Sequence, residues 1–198
     1  VILNTHHDEW IVPTNAKKDE VKARLEKLWT QIANRFKDYG DYLILETMNE
    51  PRHHKSPEEW TGCTAEGRDL INQYNKVCVD AIRATGGNNA TRKLMICTYA
   101  ASTVQKAMDD LVIPNNDENI IISIHSYFPY FFCLEGSQKT WGSDKDKKDM
   151  DHEFDRIYNT FVARGKAVVM GEWCNVENGD NYEDRLRHAD YYIKCCKK

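Results

Sequence analysis

The chain has 198 residues, enough for one domain with a sizeable core and too few for two comfortable ones. Hydrophobic residues make up 41% of it and charged residues 29%, the composition of an ordinary globular protein. A formal net charge of −4 argues against nucleic acid or an anionic membrane as the main partner, and no apolar run approaches the length that crosses a bilayer.

Apolar periodicity predicts strands and helices that alternate along the chain. In chain order, the predicted strands are Val1 to Leu3, Leu43 to Leu45, Lys93 to Tyr99, Asn119 to Tyr127 and Lys166 to Glu172. The predicted helices between and after them are Lys18 to Tyr39, Gly67 to Ala84, a short one from Ser102 or Thr103 to Leu111, Asp149 to Arg164 and Tyr182 to Lys194. A solvated loop is predicted at Ser143 to Asp149, before the helix that begins at Asp149. Continuously apolar strands between helices are typical of a parallel sheet covered by helices. The handedness of crossover connections then leaves an open doubly wound sheet or a (β/α)8 barrel.

Polar residues that can handle protons follow the apolar strands at the points where the strands end. They are His6 and His7, Asn49 and Glu50, Tyr99, His125 and Tyr127, and Glu172 with Trp173. Both candidate folds carry their functional groups at the carboxyl ends of strands. We therefore expect the functional site among these residues.

Several common motifs do not occur in the sequence. There is no Gly-rich G-x-G-x-x-G turn after a strand, no phosphate-binding G-x-x-x-x-G-K-[ST] and no G-x-S-x-G nucleophile elbow. The seven cysteines include no C-x-x-C pair, which argues against a structural zinc site. Dinucleotide binding, phosphoryl transfer from nucleotides and serine-based hydrolysis are therefore disfavoured.

Two glutamates, Glu50 and Glu172, remain as candidates for acid–base chemistry. Two carboxylates in one cleft can divide their roles when their environments differ, one acting as general acid and the other as nucleophile or base. Glycoside hydrolysis needs such a pair, because a leaving oxygen must be protonated while an oxocarbenium-like centre is stabilised. Five aromatic residues of the loops are suited to pack on sugar rings, and we expect two or three of them to do so: Trp10, Trp60, Tyr130, Trp141 and Trp173.

Four segments carry a family resemblance. They are NTHHDEW (Asn4 to Trp10), LETMNEP (Leu45 to Pro51), SIHSYFP (Ser123 to Pro129) and VVMGEW (Val168 to Trp173). Together they resemble the catalytic domain of glycoside hydrolase family 5, in its cellulase (endo-β-1,4-glucanase) branch.

The resemblance implies an α/β fold of the (β/α)8 TIM-barrel type, of which this chain would hold about five βα units. Matched by motif, its strands would be the third to the seventh of the barrel. The first two strands and the eighth would be missing, and residues 1–198 would form a partial catalytic domain.

The resemblance also implies roles for individual residues in a retaining double displacement. Glu50 matches the acid/base and Glu172 the nucleophile, and we expect their carboxyl groups to lie about 5–5.5 Å apart. Asn49 would hydrogen-bond the sugar 2-hydroxyl, Tyr127 would hold the carboxylate of the nucleophile, and His125 would lie close to both glutamates.

The remaining predicted substrate contacts are His6, His7, Trp10 and Trp173. The resemblance implies a β-glucan polysaccharide or oligosaccharide as substrate, with neither a metal nor another cofactor. It further implies a secreted, monomeric catalytic domain that binds neither nucleic acid nor membrane.

Three alternatives stay open at this stage. One is a hydrolase of the same family that acts on another β-1,4-glycan, such as mixed-linkage glucan, xyloglucan, mannan or xylan. A second is a carbohydrate-binding protein without catalysis, which would bind glucan and release no reducing sugar. A third is a metal-dependent hydrolase, suggested by His6 to Glu9 and His125, whose activity chelation would abolish. The histidines outside the strand ends, His53, His54, His152 and His188, are interpreted as surface residues.

Overall fold

The computed structural model describes residues 1–6 and 9–197. The chain forms two compact units. The first unit consists of Val1–Ser123 and Ala167–Val169, and the second of Ile124–Lys166 and Met170–Lys198.

Within the described residues, five strands form one sheet in the order β1-β2-β3-β4-β5. They are β1 (Ile2–Asn4), β2 (Ile44–Glu46), β3 (Leu94–Cys97), β4 (Ile120–His125) and β5 (Ala167–Glu172). The pairs β1–β2, β2–β3 and β3–β4 are parallel. Each strand neighbours the next one in sequence, so the strand order does not reverse as it does in a doubly wound sheet. The fold is therefore of the (β/α)8 TIM-barrel type, with five βα units, as the family resemblance implies.

The helices lie between the strands and after the last one. They are α1 (Lys18–Phe36), α2 (Ala65–Ala84), α3 (Gln105–Asp109), α4 (Tyr130–Cys133), α5 (Asp144–Thr160) and α6 (Tyr182–Cys196). The four long helices agree with the apolar periodicity, whereas the short α4 has no periodic signal in the sequence. No helix among the described residues is both long and apolar enough to cross a membrane.

The predicted solvated loop at 143–149 is wrong, because α5 begins at Asp144. Ser143 caps this helix: its hydroxyl accepts a hydrogen bond from the Asp146 amide, while the Asp146 carboxylate accepts one from the Ser143 amide. This capping box satisfies amides that the first helical turn leaves without partners. The charged run therefore forms the solvent-facing first turn of the helix.

The core of the first unit is apolar and contains side chains from α1, α2 and the sheet. Arg92, which is 2% exposed, is the main polar exception. Its guanidinium donates to the carbonyl oxygens of Leu43 at 2.8 Å and Tyr39 at 2.6 Å, and also to those of Phe36 and Gly40. These bonds hold the turn between α1 and β2, and thereby fix where the strand that leads to Glu50 begins.

The core of the second unit is smaller and largely aromatic. Phe132, Trp141, Phe154 and Tyr192 are buried, together with Met150 and two cysteines. Phe154 meets Tyr192 edge to face, with ring centroids 5.0 Å apart, a favoured geometry for aromatic pairs. This core lies directly behind the strand end that carries Glu172, because Tyr127, Met170 and Trp173 pack against it.

Candidate active site

The segment after β2 carries Asn49 and Glu50 and is fixed by buried hydrogen bonds. The Thr47 amide donates to the Met95 carbonyl at 2.9 Å, and the Thr47 carbonyl accepts from the indole N–H of Trp29 at 2.9 Å. Further along, the carbonyl of Pro51 accepts from the Ala100 amide at 3.0 Å. The backbone on both sides of Glu50 is thus held in place.

Asn49 is 7% exposed, and the side chain of Asn4 orients its amide. Asn4 Nδ2 donates to Asn49 Oδ1 at 3.4 Å and to Glu46 Oε2 at 2.9 Å. The oxygen of the Asn49 amide therefore faces Asn4. This role of Asn4 was not predicted; the signal is a polar residue at the end of β1, in register with Glu46.

Glu50 lies beside a cation that the sequence analysis missed. Arg52 Nη1 is 3.3 Å from Glu50 Oε2 and 3.0 Å from the Glu50 carbonyl oxygen, while Arg52 Nε donates to Glu59 Oε1 at 3.0 Å. The side chains of Glu50 and Arg52 are 16% and 18% exposed, so solvent screens this pair only in part. A basic residue two positions after the candidate acid was the available signal.

The other predicted contacts of the first unit are His6, His7 and Trp10. His6 is exposed and follows β1 after Thr5, whereas His7 lies outside the described residues. Trp10 is half-buried against the core, and the guanidinium of Arg24 covers its ring at 4.0 Å from the centroid. One face of the Trp10 ring is therefore already occupied.

In the second unit, the ends of β4 and β5 bring His125, Tyr127 and Glu172 together. The Tyr127 hydroxyl donates a short hydrogen bond to Glu172 Oε2, and His125 Nδ1 lies 3.6 Å from the same oxygen. The Ser126 amide donates to the Glu172 carbonyl at 3.1 Å, which continues the strand pairing to this point. The carboxylate of Glu172 is thus held in one orientation, with 31% of its side chain exposed.

Trp173 lies behind Glu172 and stacks on Tyr192, with centroids 4.7 Å apart and an angle of 12° between the rings. The Tyr192 hydroxyl donates to the Ser126 carbonyl at 2.8 Å. A single side chain of α6 therefore supports the ends of both strands that form this part of the site. Tyr192 was not among the predicted site residues, although the helical spacing places it on the inner face of α6.

The interpretation of His188 as a surface residue is wrong, because this side chain is 0% exposed. Its Nε2 lies 3.0 Å from the Phe128 carbonyl and 3.3 Å from Cys133 Sγ, and Trp141 meets its ring edge to face at 5.1 Å. Burial lowers the pKa of His188 below its ordinary value, although the Phe128 carbonyl opposes this shift. The spacing from His188 to Tyr192 is one helical turn and could have indicated a buried position.

The other aromatic candidates and the nearby thiol differ in their exposure to solvent. Trp60 and Tyr130 are each 57% exposed, whereas Trp141 is 3% exposed and does not present its ring to solvent. Cys133 is buried and is a free thiol whose pKa burial raises.

Comparison with known proteins places these residues in a family context. The family model described as cellulase (glycosyl hydrolase family 5) matches residues 1–198. Endoglucanase B of Clostridium cellulovorans is 51% identical over 199 residues, which cover 98% of this chain and 45% of that protein. The chain thus spans about half the length of this curated relative.

Solved structures are also similar. The structure of ZgEngAGH5_4 in complex with a cellotriose has 60% sequence identity and a TM-score of 0.97, and the match covers 100% of this chain and 60% of that one. A GH5-4 broad specificity endoglucanase from Clostridium acetobutylicum has 48% identity and a TM-score of 0.96, covering 99% of this chain and 60% of the other.

Proposed function

The chain belongs to the cellulases of glycosyl hydrolase family 5, and from this premise we propose that the protein is a retaining endo-β-1,4-glucanase. Glu172 is the nucleophile and Glu50 is the general acid/base. The substrate is a β-glucan chain, which is cleaved by double displacement.

The observation that carries this proposal is the arrangement around Glu172. The hydroxyl of Tyr127 and the ring of His125 both face Glu172 Oε2 at the end of β5. A carboxylate that attacks an anomeric carbon must be held with one oxygen aligned on that carbon. Because the Tyr127 hydroxyl donates to Oε2 with His125 beside it, Oε1 is the attacking oxygen.

In the first step, Glu50 protonates the glycosidic oxygen while Glu172 attacks the anomeric carbon, and the bond between that carbon and the leaving oxygen breaks. In the second step, Glu50 removes a proton from water, and the water oxygen displaces Glu172. The retaining mechanism requires the two carboxyl groups to lie about 5–5.5 Å apart. Asn49 binds the sugar 2-hydroxyl beside them, and His6, His7, Trp10 and Trp173 contribute further substrate contacts.

The substrate assignment draws on the neighbour bound to cellotriose, a β-1,4-glucan fragment. The neighbour described as a broad specificity endoglucanase supports tests on other β-1,4-glycans. We propose cellulose and mixed-linkage glucan as substrates, to be compared with xyloglucan, mannan and xylan in a hydrolysis panel. Binding of glucan without release of reducing sugar from any of them would favour a non-catalytic carbohydrate-binding protein.

A mechanism-based label tests the chemistry directly. An activated 2-deoxy-2-fluoro-cellobioside forms the covalent intermediate and slows its hydrolysis, so the intact mass of the protein increases by one fluorocellobiosyl group. We expect peptide mapping to locate that group on Glu172. A label on another residue, or turnover with inversion at the anomeric carbon in an NMR time course, would contradict the proposal.

Substitutions give the second test. Glu172→Gln should lower turnover by roughly 10⁴-fold or more, as loss of a nucleophile does in other covalent enzymes. Glu50→Gln should lower it by about 10²–10⁴-fold, the usual contribution of a general acid/base. Glu177→Gln is the matched control, because Glu177 is 80% exposed and its Oε2 lies 3.4 Å from Arg185 Nη1, away from the reacting groups of the proposed mechanism.

We further propose that the protein acts outside the cell, since a polymeric glucan cannot reach a cytoplasmic enzyme. We also propose that it is a monomer. Glucanase activity should then appear in the culture medium rather than in the cell lysate. Size-exclusion chromatography with light scattering should give the mass of one chain.

A further inference from the structure

The guanidinium of Arg52 is held in place from several sides. Its Nη1 faces the carbonyl and Oε2 of Glu50, at 3.0 and 3.3 Å, and its Nε donates to Glu59 Oε1 at 3.0 Å. The guanidinium also lies over the ring of Trp60, with Arg52 Cζ 4.3 Å from the ring centroid. Arginine has a planar set of donors, so two anchored edges and one covered face define its position.

Glu59 is itself a fixed anion. Its Oε2 accepts a hydrogen bond from the Lys55 amide at 2.8 Å, and His54 Nδ1 lies 3.6 Å from its Oε1. Burial opposes ionisation of Glu59, but the bonds from Lys55 and Arg52 outweigh burial and lower the pKa of Glu59. Glu59 therefore remains charged at neutral pH and keeps its hold on Arg52.

We propose that Glu59 is a positioning residue of the active site, which acts through Arg52 to orient the carboxyl group of Glu50 for proton transfer. This inference rests on the proposed role of Glu50 as acid/base. Glu59 itself touches neither substrate nor the reacting atoms.

The contact at Oε2 determines which oxygen of Glu50 transfers the proton. An oxygen that accepts an N–H from a cation is a poor site for an additional proton. The proton is therefore carried by Oε1 and passes from there to the glycosidic oxygen, as the bond from that oxygen to the anomeric carbon breaks. Without Glu59, Arg52 regains its rotamer freedom and the Glu50 carboxyl can rotate.

A series of leaving groups distinguishes this role from a merely structural one. Aryl β-cellobiosides that release phenol need a proton on the leaving oxygen, whereas those that release 2,4-dinitrophenol leave without one. For Glu59→Ala we expect kcat/KM to fall roughly tenfold or more on the phenyl substrate and to change less than about twofold on the dinitrophenyl substrate. Glu59→Gln, which keeps the size of the side chain, should show a smaller loss with the same dependence.

A double substitution tests whether Glu59 acts through Arg52. If it does, the variant with both Arg52→Met and Glu59→Ala should be no slower than Arg52→Met alone. Fully additive losses would contradict this route.

Asp117→Ala is the matched control. Arg83 Nε donates to Asp117 Oδ2 at 2.8 Å, and Asp117 Oδ1 accepts from the Asn119 amide at 2.8 Å. The side chains of this pair are each 16% exposed, close to the 18% and 19% of Arg52 and Glu59. Asp117→Ala thus removes an equivalent ion pair, and any change in its kcat/KM relative to wild type should be the same for the phenyl and the dinitrophenyl substrates.

Glu50→Ala separates failure of this inference from failure of the proposed function. If Glu50→Ala shows a steep dependence on the leaving group and Glu59→Ala shows a uniform loss or none, only the role of Glu59 is refuted. If Glu50→Ala shows no such dependence, the acid/base assignment fails, and the inference fails with it. Thermal melts of every variant establish that the compared proteins are folded.

Discussion

The two glutamates of the proposed mechanism are held in different ways. Glu50 lies in a loop where Arg52 contacts its carboxylate through charged groups that are partly exposed. Glu172 ends β5, and Tyr127, which lies just after β4, contacts it, with the buried Tyr192 behind them. The side chain of Glu50 is thus contacted by a charged neighbour, whereas the contacts of Glu172 are supported by strand pairing and an aromatic core.

This difference agrees with what each group has to do in a double displacement. The acid/base gives up a proton and regains one in each cycle, and a charged neighbour such as Arg52 can influence that transfer. The nucleophile has to keep one geometry through both steps, which a rigid element provides better than a loop. Substitutions around Glu50 should therefore affect activity alone, and substitutions around Glu172 should affect activity and stability together.

Among the residues that support Glu172, the largest effect is expected for Tyr127→Phe. This variant removes the hydroxyl that donates to Glu172 Oε2 and keeps the ring. A hydrogen bond to a charged group contributes about 1.5–3 kcal/mol, so kcat/KM should fall by roughly 10–150-fold. Steady-state kinetics on a soluble glucan would measure this loss, with the exposed Tyr158→Phe as control. An unchanged rate would show that strand pairing alone orients Glu172.

Tyr192→Phe tests whether the core behind Glu172 links activity to stability. The variant leaves the Ser126 carbonyl without its hydroxyl donor in a buried position. We expect the free energy of unfolding to fall by about 1–3 kcal/mol and kcat to fall a few-fold.

The neighbouring Tyr191→Phe is the control for this change, since the Tyr191 hydroxyl donates to Asp151 on α5 rather than to a strand end. Urea unfolding and steady-state kinetics on both variants would show whether the loss of stability and the loss of kcat occur together. If Tyr192→Phe lowered stability as expected but left kcat at the level of Tyr191→Phe, the two properties would be independent on this side.

The sequence predicts the elements of this fold that are defined by burial better than those that are defined by charge. The five strands and the four long helices were predictable because the spacing of their apolar residues matches the side chains that are buried in the core. The loop predicted at 143–149 was wrong because charge alone does not distinguish a loop from the exposed first turn of a capped helix. The Ser143 and Asp146 pair was the better signal.

The candidate site was predictable only in its residues at the strand ends. Short motifs near the strand ends predicted Glu50 and Glu172, and the structure places Glu50 in the segment after β2 and Glu172 as the last residue of β5. Arg52 and Glu59 were missed, since their importance depends on a loop that folds back to bring them together. His188 was misplaced because a polar residue type outweighed its position on the inner face of α6.

The pH dependence of stability should arise in part from His188, behind Glu172. Burial lowers its pKa below the ordinary value of 6.5, so the folded protein holds it neutral while the unfolded chain takes up a proton. The free energy of unfolding should therefore decrease as the pH falls below about 6.5, and this contribution should stop changing below the folded pKa.

His188→Gln should lack this contribution. Thermal melts from about pH 7.5 to about pH 5 would show the stability difference between wild type and variant narrowing as the pH falls. His152→Gln, on the exposed side of α5, should keep the wild-type slope. A constant difference between wild type and His188→Gln would mean that the core admits the charged form of His188.

The smallest effect is expected for Trp60→Ala, on the Glu50 side. The ring lies 4.3 Å from Arg52 Cζ and is 57% exposed, and cation–π contacts at such sites contribute about 0.5–1 kcal/mol. We expect kcat/KM on phenyl cellobioside to fall roughly two- to fivefold, with Trp60→Phe retaining most of the activity and both variants melting close to wild type. Because Arg52 keeps its bond to Glu59 in this variant, the loss should be smaller than that of Glu59→Ala. A melting temperature several degrees lower would show instead that the loop around Glu50 depends on packing as the strand end of Glu172 does, and the distinction between the two sides would not hold.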